Sequence, residues 1–361
     1  MREPRRITVA AAPGGEESIL WIGTGLLAGA APRLVSPSGR FLLVSAAGSR
    51  APAERIREAL AGRILADIEM DDREEAKTLA TVSTIADAAL AAGVRRDDAL
   101  VAVGGGVVCD VAGFAAAILL RGIAWNAVPT TTGAMADAAI GGKTGVDHPA
   151  GKNLLGAFHP PRVVLIDPEA AATLPDRDFR AGLVEAFKAA WIADADLAAR
   201  AERDIARVVA REEGPLSDLL SGAAAVKASI VSVDLKEGDR RRLLNFGHTL
   251  GHAFEAAGEY RDLRHGEAVA WGIAAAVEIS RERAGLTGAD AARVRGALRQ
   301  LGPFPSPSRD RGKLAPYLSR DKKSTARGIA GVLLEAIGRA RIFETVPPEE
   351  WLDAAARVRL D

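Results

Sequence analysis

Over the first half of the chain, short apolar runs bounded by turn residues alternate with longer runs of helical period. Residues 6–10 and 41–45 (Phe-Leu-Leu-Val-Ser) predict buried strands, and the second leads into a helix over Ala53 to Ala61. Ile64 to Ile68 predicts another strand. Glu74 to Ala92 then sets Leu79, Val82, Ile85, Ala86 and Leu90 at helical spacing, and Asp98 to Val103 returns to strand. Ile123 to Val128 and Val163 to Ile166 predict the last strands of the sheet. Strands separated by single helices imply a parallel sheet and a nucleotide-binding type of α/β fold. Around Asp167 to Asp178 the character changes, and helices dominate from there: Asp178 to Ile192, Ala223 to Leu235, Ala268 to Ile279 and residues 287–301. A Pro-rich connection, Pro303 to Pro307, precedes one expected strand at Ile329 to Leu334 and a helical C-terminus. The chain is thus expected to divide into an α/β domain over residues 1–175 and an all-α domain over residues 176–361.

The densest chemistry lies in Asn245-Phe-Gly-His-Thr-Leu-Gly-His-Ala-Phe-Glu255 and Arg264-His265-Gly-Glu267, which hold three of the five histidines. His248 and His252 are four apart in a helical run, so both rings project from one face. His265 follows a Gly- and Tyr-containing turn and opens the next apolar run, so two antiparallel helices can return it toward His248. Imidazole suits zinc and similar metals, which in catalytic sites take three protein ligands and keep one position open. The third ligand is sought elsewhere. Glu185 sits among apolar neighbours in Gly182-Leu-Val-Glu-Ala-Phe-Lys188, and a carboxylate in an apolar helix needs a cation or metal as partner. A surface pairing of Glu185 with Lys188 is the plainer reading of that segment, as histidines satisfied within a helical core are of the other.

Gly104, Gly105, Gly106, Val107, Val108, Cys109 and Asp110 follow a strand and precede the helical run Val111 to Leu120. Glycine there lets backbone N–H groups approach an anion at a helix start. The dinucleotide spacing Gly-x-Gly-x-x-Gly is absent, and a tight turn with no ligand explains the triple glycine equally well. Pro129-Thr130-Thr131-Thr132 ends the next strand, where ligands of such sheets bind. Gly141-Gly-Lys143-Thr-Gly-Val-Asp-His-Pro-Ala-Gly-Lys152-Asn153 reads as a loop suited to a phosphate and a polyhydroxylated substrate. It is not an NTPase phosphate loop, because Asp137 stands where that motif needs glycine.

Composition narrows the field. Lys plus Arg equal Asp plus Glu at 47 each, so no net field favours nucleic acid or membrane surfaces, and aromatics at 4 % leave few stacking platforms. The single cysteine, Cys109, excludes an intrachain disulfide and a thiolate zinc cluster and fits a reducing cytosol. No signal-type apolar core follows the charged N-terminus, and no run is expected to span a bilayer.

Together with Glu74-Glu-Ala-Lys77 and Asp321-Lys322-Lys323, these motifs stand in the order found in the 3-dehydroquinate synthases, within the wider sugar phosphate cyclases, and the chain resembles that family from about Glu74 to Glu335. The resemblance implies an N-terminal Rossmann-like NAD-binding domain, a C-terminal metal-binding domain, a site in the cleft between them and a cytoplasmic homodimer. It implies zinc or cobalt held by Glu185, His248 and His265. Cofactor contacts map onto Asp72, Glu74, Lys77, Gly104 to Asp110, Thr130, Thr131, Lys143, Lys152 and Thr173. Substrate contacts map onto Arg121, Lys143, Asn153, Lys188, Lys227, Arg241, Asn245, His252 and one of Lys322 or Lys323. Catalytic roles fall to His252, Lys143, Asn245, Asp137 and Arg241.

The family's chemistry acts on 3-deoxy-D-arabino-heptulosonate 7-phosphate in the shikimate pathway of aromatic amino acid biosynthesis. Hydride leaves C5 for NAD, phosphate is eliminated, hydride returns, and an aldol step closes the carbocycle with no net redox. The chain departs from the family pattern at Asp147, usually Asn, where a carboxylate can weaken binding of an anionic substrate. It departs also at Arg73 and Cys109, each usually Gly, and at Ser45-Ala-Ala-Gly48, which lacks the acid or amide often found after the second strand. A paralogue of a natural-product pathway, such as an amino-dehydroquinate synthase, and a metal-dependent polyol dehydrogenase are the alternatives.

Overall fold

The computed structural model describes residues 3–10, 17–320, 324–325 and 328–360. Lys322 and Lys323 lie outside the described residues. The chain forms two compact units, Met1–Pro175 with Lys227–Lys236, and Asp176–Val226 with Glu237–Asp361.

The first unit runs β1 (Arg5–Val9), β2 (Ser18–Ile22), β3 (Phe41–Ala46), α1 (Arg50–Ala59), β4 (Ile64–Met70), α2 (Leu79–Ala91), β5 (Ala99–Gly104), α3 (Gly106–Ile118), β6 (Ala124–Pro129), β7 (Lys143–His148), β8 (Gly151–Phe158) and β9 (Val163–Ile166). Seven strands form one sheet in the order β1-β2-β9-β6-β5-β3-β4. All pairings are parallel except β1 with β2. Every residue of β3, β5 and β9 is buried, which is why these strands read as continuous apolar runs rather than as alternating ones. From β3 the chain steps outward to β4 and then back across to β5. The order therefore reverses between β3 and β5, and their carboxyl ends frame the crevice where such sheets bind ligands.

Three sequence expectations change here. The helix expected from Val111 begins at Gly106, directly after β5, because Gly104 ends the strand, Gly105 is the cap and Gly106 already starts the helix, leaving no separate turn. The helix expected from Glu74 begins at Leu79, after a 3-10 turn over Glu74–Ala76, with the Thr78 hydroxyl accepting from Thr81 N at 3.2 Å. It buries Val82, Ile85 and Ala89, while Leu79 and Leu90 are 52 % and 55 % exposed. The segment expected as a loop over 141–153 is instead most of an antiparallel hairpin, β7 with β8. Gly145 and Gly156 face each other in it, and a Cβ on Gly156 would stand 2.1 Å from the Thr144 carbonyl oxygen. The strands approach more closely than side chains allow, so glycine here builds a strand pair. Gly113 lets α3 meet this hairpin, since a Cβ there would lie 2.5 Å from Thr144 Cγ2.

The second unit comprises α4 (Asp176–Ala193), α5 (Ala195–Arg203), α6 (Ile205–Val209), most of α7 (Glu213–Val233), α8 (His248–Ala257), α9 (His265–Arg283), α10 (Gly288–Leu301), α11 (Arg311–Arg320), β10 (Ser324–Thr325), β11 (Gly328–Ala336), β12 (Arg339–Val346) and α12 (Pro348–Arg357). It is helical, but not all-α: β10, β11 and β12 form an antiparallel sheet. The strand expected at Ile329 to Leu334 is β11, and β12 occupies a stretch expected to be helical. Over Arg339–Ile342 exposed arginines alternate with half-buried apolar residues, giving this part of β12 one solvated face.

The end of α7 joins the first unit, where Lys227 pairs with Asp137 at 2.5 Å and Ala10 N donates to Ser232 Oγ at 3.0 Å. Against the expectation that no run could span a bilayer, α7 is long and apolar enough by length and composition, with a window of mean hydropathy 1.4. More than half of that window is buried inside the protein, as in a core helix.

Candidate active site

Three helices of the second unit converge on a set of metal-binding donors. Glu185 lies midway along α4, His248 is the first residue of α8, and His265 the first of α9. One ligand atom from each lies within 4.8 Å of the others. The Nε2 atoms of His248 and His265 stand 3.9 and 3.8 Å from Glu185 Oε1. Glu185 is 5 % exposed and forms a buried ion pair with Lys188 one turn along α4. Neither of its oxygens is held by an aligned hydrogen bond. A buried carboxylate in that condition is costly unless a cation completes its surroundings. Two imidazoles and one carboxylate are a donor set that zinc or cobalt accepts, so these residues fit a metal.

Glycines make the convergence possible. Gly247 precedes α8 with φ +82°, which carries the chain into the helix at an angle other residues resist. Gly266, next to His265, lies so near α4 that a Cβ would stand 1.9 Å from the Ala181 carbonyl oxygen. The start of α9 is tied to α4 a second way. Glu267, 1 % exposed, takes two hydrogen bonds from Arg177, at 2.7 and 2.8 Å, and one from Arg264 N at 2.8 Å. The helix bearing His265 is thereby fixed against the helix bearing Glu185.

Burial, assisted by the neighbouring Lys188 ammonium, holds His248 well below the ordinary histidine range, so the ring is neutral and free to ligate. Burial also pulls on His265, but the Glu255 and Glu185 carboxylates outweigh it and leave that ring raised. His252 stands one turn after His248 on α8, exposed, with its ring centroid 5.3 Å from that of His248 and 6.1 Å from that of His265. Arg241, 2 % exposed, and Asn245 occupy the 3-10 turn before α8, and Asn245 donates to Glu237 at 2.7 Å.

In the first unit, Gly105 and Gly106 open α3 at the point where the strand order reverses. The first N–H groups of a helix lack intrahelical partners and favour an anion. A Cβ on Gly105 would stand 3.1 Å from Thr131 Cγ2, so the glycine keeps the backbone open beside the end of β6. Thr130, at that end, pairs its hydroxyl with Ser49 at 2.9 Å, joining the loops after β3 and β6. These features fit the pyrophosphate of a dinucleotide. Val107 faces partly outward, whereas Val108 and Cys109 are buried core residues, and burial pushes the Cys109 thiol far up, leaving it inert. Asp72 and Thr173 are exposed.

A charged network flanks this crevice. Lys77, 5 % exposed, donates to Asp110 at 2.6 Å and to Asn153. Lys152 pairs with Glu74 at 3.0 Å. Burial pulls the Lys77 ammonium down, yet Asp110 opposes it strongly enough to leave it raised; burial pushes Asp110 up to about 6 against the pull of Lys77. Asp147 accepts from Asn153 N at 2.8 Å, and its own N–H donates to the Lys77 carbonyl at 2.9 Å. The expected residues Glu74, Lys77, Asp110, Lys152 and Asn153 are therefore brought together, with Lys143 exposed at the start of the same hairpin.

Arg121 is not brought to this set. It is exposed, with φ +71°, in the connection between α3 and β6. That connection enters β6 at its amino end, opposite the crevice, a strand of six residues or about 20 Å away. Its expected place in the substrate pocket does not follow from its position in this unit. Sequence reasoning overlooked Glu255 and Glu267 as site residues. Their signals were the i+3 spacing of Glu255 from His252 and the place of Glu267 in the first turn of α9, from which its carboxylate reaches back to the Arg264 N–H.

The parallel nucleotide-type sheet and the helical unit place this chain among the sugar phosphate cyclases. Consistent with this, the fold matches a crystal structure of 2-deoxy-scyllo-inosose synthase complexed with carbaglucose-6-phosphate, NAD+ and Co2+, with a TM-score of 0.84 and 27 % identity, covering 98 % of this chain and 99 % of that one. It also matches 2-epi-5-epi-valiolone synthase from Streptomyces hygroscopicus with NAD+ and Zn2+ bound, at a TM-score of 0.81 and 32 % identity over 96 % and 97 % of the two chains. The family described as 3-dehydroquinate synthase N-terminal matches residues 67–181, and 3-dehydroquinate synthase C-terminal matches residues 182–324. The 3-dehydroquinate synthase of Geobacter metallireducens is 44 % identical over 287 residues, spanning 79 % of this chain and 80 % of that protein. The chain belongs to the 3-dehydroquinate synthase family.

Proposed function

We propose that the protein is a lyase that converts 3-deoxy-D-arabino-heptulosonate 7-phosphate into 3-dehydroquinate and inorganic phosphate, working in the cytoplasm as a homodimer. The observation that carries this reading is the Glu185, His248 and His265 donor set with the buried cations Lys188 and Arg241 in the same unit. A metal set with the buried Lys188 ammonium beside it, and a second buried cation in the same unit, suits a polyhydroxylated anion carrying phosphate and carboxylate better than a simple polyol.

When bound, NAD supplies a hydride acceptor restored within each turnover, and zinc or cobalt on Glu185, His248 and His265 supplies Lewis acidity toward the substrate hydroxyl. His252, exposed beside the metal set, accepts the C5 hydroxyl proton on a ring nitrogen. Oxidation at C5 acidifies the hydrogen on C6, so phosphate leaves C7 by elimination. After C5 is reduced again, the ring opens and an intramolecular aldol step closes the carbocycle. Lys188, Arg241 and Asn245 hold the substrate, and Lys143, Asn153 and the Lys227–Asp137 pair are further contacts to it, Lys227 neutralising phosphate charge while Asp137 orients the ammonium. Thr130, Thr131, Lys152 and the start of α3 hold NAD.

The test is phosphate release from the heptulosonate 7-phosphate by purified protein with NAD and zinc, beside a chelated control and the variant His265→Ala. Chelator-sensitive release of phosphate with 3-dehydroquinate as product, no accumulation of NADH, and joint loss of metal and activity in the folded variant are expected. Full activity in His265→Ala with unchanged metal content would overturn the ligand assignment.

A further inference from the structure

His265 stands between two carboxylates. Its Nε2 faces Glu185 Oε1 at 3.8 Å, and its Nδ1 lies 3.3 Å from Glu255 Oε2. Glu255 is 5 % exposed and sits on α8, one turn beyond His252, so a helix other than the one bearing His265 aims its carboxylate at this ring. His248 shows the same arrangement with a different partner: its Nδ1 lies 3.3 Å from the Phe246 carbonyl oxygen while its Nε2 faces Glu185. Both outer partners are acceptors, so each Nδ1 carries the proton and each Nε2 presents its lone pair to one point.

We propose that Glu255 is a positioning residue for the metal centre, fixing the tautomer and orientation of His265 so that Nε2 is the ligating atom. This deepens the metal site of the proposed function and rests on it. A carboxylate behind an imidazole also raises the basicity of the ligating nitrogen, and loss of such an outer partner weakens metal binding by about 10–100-fold. The same geometry has a rival explanation. His252, Glu255 and His265 also place one ligand atom each within 4.8 Å of the others, which would make Glu255 a ligand of a second ion sharing His265. The opposed directions of the two His265 nitrogens favour the positioning role. One ion at Nε2 uses the hydrogen bond at Nδ1, whereas a second ion at Nδ1 would abolish it.

The test is zinc affinity and stoichiometry of the full chain, measured by competition with a chromogenic chelator for the parent, Glu255→Gln and Glu255→Ala, with unfolding midpoints of the metal-free forms. One zinc per chain is expected throughout. Affinity should fall about 10–100-fold in Glu255→Ala and less in Glu255→Gln, whose amide oxygen still accepts from Nδ1, while the metal-free midpoints stay together. Nitrogen NMR of the zinc-loaded parent, which needs no variant to fold, should show His265 ligated through Nε2 and protonated at Nδ1. Unchanged affinity in Glu255→Ala, equal losses in both variants, ligation through Nδ1, or two zinc ions in the parent falling to one in Glu255→Ala would each overturn the proposal. None of these readouts uses the heptulosonate, so an inactive protein with the expected zinc binding would sink the proposed reaction and leave the role of Glu255 standing.

Discussion

Gly272 and Gly247 meet so closely that a Cβ on Gly272 would stand 1.9 Å from the Gly247 carbonyl oxygen. Gly247 leads directly into His248, and Gly272 lies two turns into the helix that starts with His265. The contact of these two backbones therefore sets the distance between two metal ligands.

Gly272→Ala should force α8 and α9 apart, because the atom in the way is backbone and cannot rotate aside. A loss of about 1–3 kcal/mol in stability is expected from overpacking alone, together with weaker zinc binding. Urea midpoints and a zinc titration measure the two effects. A variant as stable as the parent that binds zinc equally well would show that the helices have slack.

Glu185 and Lys188 should respond differently to metal. Removing either partner of a buried ion pair leaves an uncompensated charge at a cost of about 3–5 kcal/mol. In Lys188→Met the stranded charge is the Glu185 carboxylate, and zinc should recover much of the lost stability by taking the place of the ammonium. In Glu185→Ala the ligand itself is gone, and zinc should recover none. Thermal melts with and without zinc separate the cases; equal rescue of both variants would remove Glu185 from the ligand set.

How much of this was legible in the sequence depends on whether the signal was local. The alternation of buried strands and helices was, because β3, β5 and β9 carry unbroken apolar runs. So were His248 and His265, since two helices joined by a short turn must return on themselves. The β7–β8 hairpin was not: Gly145 and Gly156 look like loop residues until the partner strand is in place. Leu79 and Leu90 share the helical spacing of Val82 and Ile85 yet face solvent, because only tertiary packing decides which stripe of α2 is covered. Glu255 stood in view in the histidine stretch, but its pairing with His265 exists only once α8 and α9 have packed.

Asp110 should leave a signature in the pH dependence of stability. Its folded pKa of about 6 lies above the unfolded value of about 3.9, so between those values the native state binds more protons than the unfolded one. The contribution of Asp110 to stability therefore falls as pH rises from about 4 to about 6 and is level above that. Asp110→Asn lacks this slope. Subtracting its urea-derived stabilities from those of the parent should give a difference that declines across the window; one that rises with pH would contradict the buried environment assigned to this carboxyl.

Asp147→Asn should leave the fold intact, because an amide oxygen can still accept from Asn153 N, where Asp147 Oδ1 accepts at 2.8 Å. It removes a negative charge beside Lys77 and Lys152, so KM for the phosphorylated substrate should fall while kcat and the unfolding midpoint hold. A raised KM would show that the carboxylate aids binding by ordering the two lysines.

The metal centre built by Glu185, His248 and His265 is proposed to act on a carboxylate-bearing heptulosonate phosphate. The most direct test is kcat/KM for phosphate release from 3-deoxy-D-arabino-heptulosonate 7-phosphate, sedoheptulose 7-phosphate and glucose 6-phosphate under one set of conditions, with NAD and zinc present and products identified by mass spectrometry. Turnover of the heptulosonate to 3-dehydroquinate, abolished by chelation and far exceeding the other two, is the predicted result. Preferred turnover of either phosphate that lacks a carboxylate, or none with the heptulosonate by folded, zinc-loaded protein, would contradict it.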